Sequence, residues 1–490
     1  MARLVPIVVL VLSALSGIRC EFGLDVAAPT VSSAIATAIG SGISSVVRAN
    51  ASIKIDSSAD GSGTVNTLIV ISNNVTNPMN KLLGSILAGA SSRNANSQEM
   101  FNNFSELIKN TSKAIVSANT TADDLKTVTK VYLYEYMIGN LTALNNTLQN
   151  LSNGLNMMQS QVQLAANAEY PPTILNITVY FNKTVVANLT TPLRSIRKYL
   201  TSIGSTITTI AAERSQAIAY RAQFNETISA GVRSIDSAAV TFNRTVVDVY
   251  HRISQQQTNT FKAINQTYAS VLNRADSYGI NMRNLTQFLS DMVTANASFT
   301  QFVELSTNYS TEQVTKALHE QTTAVTATLL TVINFVTNQS VTNSSVNTAS
   351  CTQKAVQQLQ QNPVAMNRLA SCMQSETNSF RTTTQFVQVQ MDAVRNAAAS
   401  LAVQMSRICQ RETGPCTAYF FSAFPDHSQR VQNKISVVAG GVSNDEHIVT
   451  GRIVDCVNGV GSDIVANAQI IQSKFVTCLG TIRVAPVEVE

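Results

Sequence analysis

The apolar residues of this chain recur in alternating steps of three and four. Met137, Leu141, Leu144, Leu148, Leu151, Leu155, Met158 and Val162 form one such series, which places a single apolar stripe on a helix. A second stripe starts with Ile196, Leu200, Ile203, Ile207 and Ile210 and resumes at Val232, Ile235, Ala239, Phe242, Val246, Val249 and Ile253. After an irregularity at Gln257 and Phe261 it continues through Ile264, Tyr268, Val271, Ala275, Tyr278, Met282, Leu285, Leu289, Met292 and Phe299. Unbroken, this tract would run about 110 residues and about 165 Å, with Gly204, Gly231 and Gly279 as the expected bends. A third stripe (Phe380, Thr384, Val387, Met391, Val394, Ala398, Leu401, Met405, Ile408) ends near the turn Gly414-Pro415. The pattern predicts an all-α protein. Long heptad-patterned helices, as a coiled coil or helical hairpins, are followed by a small disulfide-linked helical domain.

Between these stripes the signals are local. Val31, Ile35, Ile39, Ile43 and Val47 recur every fourth residue and predict a short helix, Asp56 to Gly63 reads as a loop, and Thr67 to Ser72 reads as a short strand. Leu175, Ile177, Val179 and Phe181 alternate like a strand, while Ile174, Phe181, Val185 and Leu189 fit a helix equally well. Tyr170-Pro171-Pro172 is a stop, and Thr191-Pro192 has the form of an N-cap with proline at the first helical position.

Two chemistries divide the chain near residue 346. Nineteen Asn-x-Ser/Thr triplets, the acceptors for N-glycans in secreted proteins, all begin at or before Asn343. Eighteen are taken as candidate glycosylation sites: Asn50, Asn74, Asn103, Asn110, Asn119, Asn140, Asn145, Asn150, Asn176, Asn182, Asn188, Asn225, Asn243, Asn265, Asn284, Asn308, Asn338 and Asn343. The nineteenth, Asn296, falls on the apolar stripe, so either it carries no sugar or the register breaks near Ala295. In the heptad frame Asn243 and Asn265 fall at the seam edge and Asn284 points outward. Beyond the last triplet lie Cys351, Cys372, Cys409, Cys416, Cys456 and Cys478, an even number that implies disulfides with fifteen possible pairings. Cys409 and Cys416 can bridge locally. A continuous helix from Cys456 to Cys478 would hold its ends roughly 33 Å apart, beyond disulfide reach of about 7 Å, so cross-links between helices are expected. Cys351 and Cys372 flank Asn362-Pro363, read as a break between two short helices.

The first twenty residues read as a signal peptide: Arg3, an apolar stretch from Leu4 to Leu15, then small residues before Cys20. The expected organisation is a signal peptide at 1–20, a small-residue-rich, partly flexible segment at 21–98, an N-glycosylated long-helix region at 99–346, a six-cysteine helical domain at 347–485 and a tail at 486–490. Removing Arg3 and Arg19 lowers the formal charge from +5 to +3, and no lysine or arginine run provides a footprint for nucleic acid. Charged residues are 13% of the chain against about 25% in an average domain, so hydroxyls, amides and sugar are expected to keep the surface wet. The most apolar late segment, Ala324 to Val336, is short and interrupted by Thr326, Thr328, Thr331 and Asn334; no membrane span is expected.

No catalytic constellation emerges. His251 and His319 lie on polar helical tracts, Asp445-Glu446-His447 reads as an acidic solvated turn, and Gly459-Val460-Gly461 reads as a bend. The cysteine spacings contain no close metal-binding pair. No enzyme, cofactor or metal is expected.

The spaced cysteines Cys351, Cys372, Cys409, Cys416, Cys456 and Cys478 in a helical region of about 130 residues, behind a signal peptide, give the C-terminal quarter a pattern that resembles the tsetse EP protein family. The resemblance implies a secreted protein of dipteran insects, associated with gut or defence, and brings no catalytic residues with it. The chain lacks that family's Glu-Pro repeat tail, and its glycosylated helical region is an addition. The expected function is a secreted extracellular glycoprotein with a structural or interaction role, gut-lumen or immune-related. Its partner is an extracellular protein or surface ligand, and its heptad helices are suited to self-association. The alternative is a helical carrier of lipid or another small hydrophobic ligand.

Overall fold

In a computed structural model of the protein, the alternating stripes become helix faces turned into packed cores. The structure describes residues 22–24, 29–40, 44, 47–48, 62–92, 96–169, 177–277, 279–410 and 414–480. The predicted signal peptide, Asn50, Asn176, most of the loop from Asp56 and the tail lie outside them. The described residues are 92% helical and contain no strand. Among the described residues, ten helices of nine or more residues follow in order: α1 (Pro29–Ile39), α2 (Thr64–Ala90), α3 (Ser97–Ala122), α4 (Val131–Ala166), α5 (Lys183–Ser277), α6 (Arg283–Thr342), α7 (Thr348–Leu359), α8 (Gln361–Ile408), α9 (Gly414–Ser422) and α10 (Phe424–Gly480). No helix among the described residues is long and apolar enough to cross a membrane.

The chain forms two compact units, and they differ from the division at residue 346. Unit 1 comprises Met1–Ala222, Phe335–Thr352 and Leu479–Glu490; unit 2 comprises Gln223–Asn334 and Gln353–Cys478. In unit 1, α2, α3, α4 and the first part of α5 run up, down, up and down. The pairing is marked by Gly89 against Phe104, Ser112 against Asn145, and Gly154 against Asn188. The whole α4 stripe from Met137 to Val162 is buried, together with Leu189, Leu193, Ile196, Leu200, Ile203, Ile207 and Ile210 from α5. Phe22 stacks on Phe101 at the α3 side of this core.

Unit 2 is a second up-down-up-down bundle, formed by the rest of α5 with α6, α8 and α10. Phe242 meets Phe380 across α5 and α8, Gln257 meets Asn296 across α5 and α6, and Cys372 is bonded to Cys456 across α8 and α10. Glu446 of α10 meets Ser310 of α6.

Several local expectations are corrected. Thr67 to Ser72 lies inside α2, because Leu68, Ile71 and Val75 bury one helical face there. The start of α5 is Lys183, not the Thr191-Pro192 pair: the Asn182 side chain accepts hydrogen bonds from the Thr184 and Val185 amides, both at 3.0 Å, an N-cap. Pro192 therefore sits inside the helix and leaves the Asn188 carbonyl without its amide donor. At that carbonyl α4 presents Gly154, where a Cβ would lie 2.4 Å from the oxygen. The alternation around Ile177 resolves into one helical turn, Ile177–Tyr180. Gly204 and Gly231 do not interrupt α5, which is continuous from Lys183 to Ser277, and Gly231 admits Met366. The chain does turn at Gly279, with φ of 64°, a value glycine adopts at little cost. The segments around Asp445 and Gly459 lie inside the continuous α10. The expected break between two helices falls at Gln360, so that Asn362-Pro363 lies in the first turn of α8, which at 48 residues is not short; first-turn amides need no intrahelical acceptor.

These glycines predict opposite outcomes for one substitution. Gly154→Ala should lower stability by about 1–3 kcal/mol, because the added methyl has to push α4 off the Asn188 carbonyl. Gly139→Ala, with open space at its Cβ position, should raise stability by about 1 kcal/mol through helix propensity. Urea unfolding followed by helical circular dichroism reads both.

Candidate functional site

The densest buried polar chemistry lies in unit 2, around Glu446. This residue occupies a core position in the α10 stripe Val431, Ile435, Val438, Val442, Glu446, Val449, Ile453 and Val457, and is 4% exposed. An unpartnered carboxyl there would cost several kcal/mol. It is instead met from two other helices. Ser310 on α6 donates to Glu446 Oε1 at 2.8 Å, and Thr450, one turn further along α10, donates to the Ser310 hydroxyl at 3.2 Å. Ser306 of α6 and Tyr250 of α5 also hydrogen-bond the carboxyl, and all four hydroxyl residues are buried.

Burial raises the Glu446 carboxyl above the ordinary carboxylate range, against hydrogen bonds from Ser306 and Ser310, the nearby His447 and the Tyr250 hydroxyl, which favour its charged form. Burial, and next the charge of Glu446, push the Tyr250 hydroxyl up as well. The cluster fixes three helices against one another. The grooves described on this protein are lined by other residues: in unit 1 a trough of about 390 Å³ beside Tyr132, Tyr136 and Thr209, and in unit 2 one of about 150 Å³ beside Thr267, Val271 and Met405.

A second node lies nearer the start of α10. Both the Tyr268 hydroxyl and His427 Nε2 reach the Ala398 carbonyl, His427 at 2.9 Å. Phe288 and Phe424 pack beside both rings. His427 is buried, and burial holds its pKa below the usual 6.5. His251 and His319 are exposed, as expected of polar helical tracts. Among the described residues no group of three or more His, Cys, Asp or Glu side chains is placed to hold a metal ion.

All six late cysteines are in disulfides. Cys372 pairs with Cys456 across α8 and α10, with Cα atoms 5.8 Å apart, and Cys409 pairs with Cys416 across the short connection into α9, at 5.6 Å. The local bridge and the inter-helix cross-link were both legible in the spacing.

The acceptor asparagines separate by exposure. Asn103, Asn110, Asn150, Asn182, Asn188, Asn225, Asn265, Asn308 and Asn338 are exposed; Asn74, Asn119, Asn145, Asn243, Asn284 and Asn343 are half-buried. Asn140 is buried, and its Nδ2, the atom a glycan would occupy, donates to the Tyr136 carbonyl at 2.7 Å. Asn284 does not point freely outward, because its Nδ2 donates to the Phe421 carbonyl at 3.2 Å. Asn296 keeps its place on the stripe. Gln257, the irregularity on α5, lies opposite and places its Nε2 2.8 Å from the Asn296 carbonyl and 2.9 Å from Asn296 Oδ1. The Gln257 amide nitrogen is thus satisfied by Asn296 and by the Thr300 hydroxyl, while its buried Oε1 has no hydrogen-bond partner.

Sequence reading missed the Glu446 cluster. Its signal was present, since Glu446 sits between Val442 and Val449 at helical spacing, but the run Asp445-Glu446-His447 reads locally as an acidic solvated turn. No protein-family model matches the chain, no curated protein matches it, and no solved structure matches it.

Two predictions follow from the geometry of unit 2. Loop entropy assigns roughly 4–5 kcal/mol to the Cys372–Cys456 bridge, which closes 84 residues, and roughly 2 kcal/mol to Cys409–Cys416, which closes 7. The Cys372→Ser/Cys456→Ser double variant should therefore melt well below Cys409→Ser/Cys416→Ser. For Glu446 the folded pKa is raised, so its stabilising contribution is full below the unfolded value of about 4.5 and is lost as pH rises through the folded value. The melting temperature of the wild type should fall relative to Glu446→Gln as pH rises above that value. His427 acts in the opposite sense, losing stability as pH falls below about 6.5, and it acts equally in both chains. The difference between the two melting curves therefore isolates Glu446.

Proposed function

We propose that this chain is a secreted extracellular glycoprotein that acts by presenting the surfaces of its helical bundles to other macromolecules, not by catalysis. The observation that carries the proposal is the disulfide bonding of all six late cysteines, a state that persists in oxidising compartments. The leader-like N-terminus and the accumulation of acceptor triplets before residue 346 support the same compartment. Nine acceptor asparagines stand exposed on helix surfaces, where a glycan is accommodated without opening a core. The prominent buried titratable groups, Glu446 and His427, are engaged within the fold, which supports a non-catalytic role. The resemblance of the cysteine pattern to the tsetse EP family supports, as part of this proposal, a gut-lumen or defence setting.

Expression of the full-length chain in secreting insect cells tests it. The protein should reach the medium without free thiols, and its mass should fall on enzymatic removal of N-glycans. Peptide mapping should find sugar at the exposed positions, such as Asn225 and Asn308, and none at Asn140. Retention inside the cell with reduced cysteines would sink the proposal.

A further inference from the structure

The outer face of α10 is unlike the other long faces of unit 2. Val437, Ile448, Gly459 and Ile470 form a row at eleven-residue spacing, three helical turns per step. The three side chains in this row are 66%, 47% and 50% exposed. At Gly459, and at Gly440 and Gly451 beside the row, nothing lies within 4 Å of the position a Cβ would take. Gly441 and Gly461 differ, because Phe386 and the Gln321 side chain fill the space beside them. Glycine inside a helix weakens it, and three of these glycines are used by no neighbour within the chain. Like α8, the helix carries no acceptor triplet, whereas α5 and α6 of the same bundle carry several.

The row maps onto itself when a second copy is laid antiparallel across it. A two-fold axis between Ile453 and Val454 sets Val437 opposite Ile470 and Ile448 opposite Gly459, so that each large side chain of the middle pair meets a notch. The same axis brings Asp455 of each copy alongside the exposed Arg452 of the other, whose guanidinium is held by Glu376 of α8 at 2.9 Å within its own chain. It sets Lys434 opposite Ser473 and Asp463 opposite Asn444, so no like charges face one another. A two-fold contact requires this kind of self-complementarity.

We infer that α10 forms a homodimer contact, its outer face packing antiparallel against the same face of a second copy of this chain. The contact names one partner for the interaction role proposed above. Only the sugar-free character of the face rests on that reading; the apolar row and the charge pairing do not. The occupant is a second copy because the charges and the knob-and-notch spacing match this face to itself.

Sedimentation equilibrium of the full-length protein, before and after enzymatic removal of N-glycans, provides the test. The expected result is a dimer mass with or without sugar, and an increase of at least about tenfold in the dimer dissociation constant for Ile448→Arg and for Gly459→Gln. Their helical circular dichroism and melting temperatures should stay close to wild type. Asp455→Arg should weaken the dimer likewise. A monomeric wild type, or a dimer that withstands all three substitutions, would overturn the inference. A dimer that carries no glycan would leave the contact standing and count against the glycoprotein reading instead.

Discussion

Burial of the Glu446 carboxyl is the constraint on which the register of unit 2 depends. Apolar heptad stripes attract helices to one another with little preference for axial position, because sliding by one heptad replaces one aliphatic contact with another. A carboxyl in the stripe removes that freedom. It has to meet donors, and the donors at Ser306, Ser310 and Tyr250 exist at one level of α6 and α5 only. Any slipped arrangement would strand the carboxyl against aliphatic side chains. The same logic operates at Gln257 and Asn296, which fix α5 against α6, and at the Ala398 carbonyl, which accepts from α5 and α10 together. Polar residues placed sparsely within apolar stripes thus act as registration marks, as a buried asparagine does in a coiled coil.

The low charge content has a structural counterpart. Many threonine hydroxyls donate to the carbonyl four residues earlier in their own helix, as Thr76, Thr111, Thr147, Thr241 and Thr331 do. This back-bonding satisfies the hydroxyl without a neighbour, so threonine serves both on exposed surfaces and at helix contacts. A sheltered ion pair between Lys130 and Glu213 joins the start of α4 to α5. Surface ion pairs contribute little to stability, and the bundles rest on burial, polar matching and disulfides. Cys372–Cys456 ties α8 to α10 in the same bundle that Glu446 registers, so covalent and hydrogen-bonded constraints act on one helix from different sides.

The helical class, the α4 stripe, the disulfide-bonded cysteines and the exposed acceptors were all legible in the sequence. Each depends on spacing along one chain segment or on composition, and helical periodicity reports directly which face is buried. The misreadings share one cause. Thr67 to Ser72, Pro192, Asp445 to His447 and Gly459 were judged by local preference, and in each case the buried stripe of the long helix that contains them overrode it. The glycines of α10 show the difficulty most clearly: Gly441 and Gly461 admit side chains from other helices, while Gly459 faces open space, and nothing in the local sequence separates the two kinds.

By itself, then, the sequence determined that the chain is helical, where its apolar faces lie and which cysteines staple it, because these follow from residue spacing and type. Only the tertiary structure decided which helices share a bundle, that Cys372 meets Cys456, that Asn140 is closed to modification, and that Glu446 is a core residue. Those facts depend on which faces meet across separations such as 84 residues for Cys372–Cys456 and 136 for Ser310–Glu446, and a repeating heptad pattern is compatible with many such meetings until buried polar groups select one.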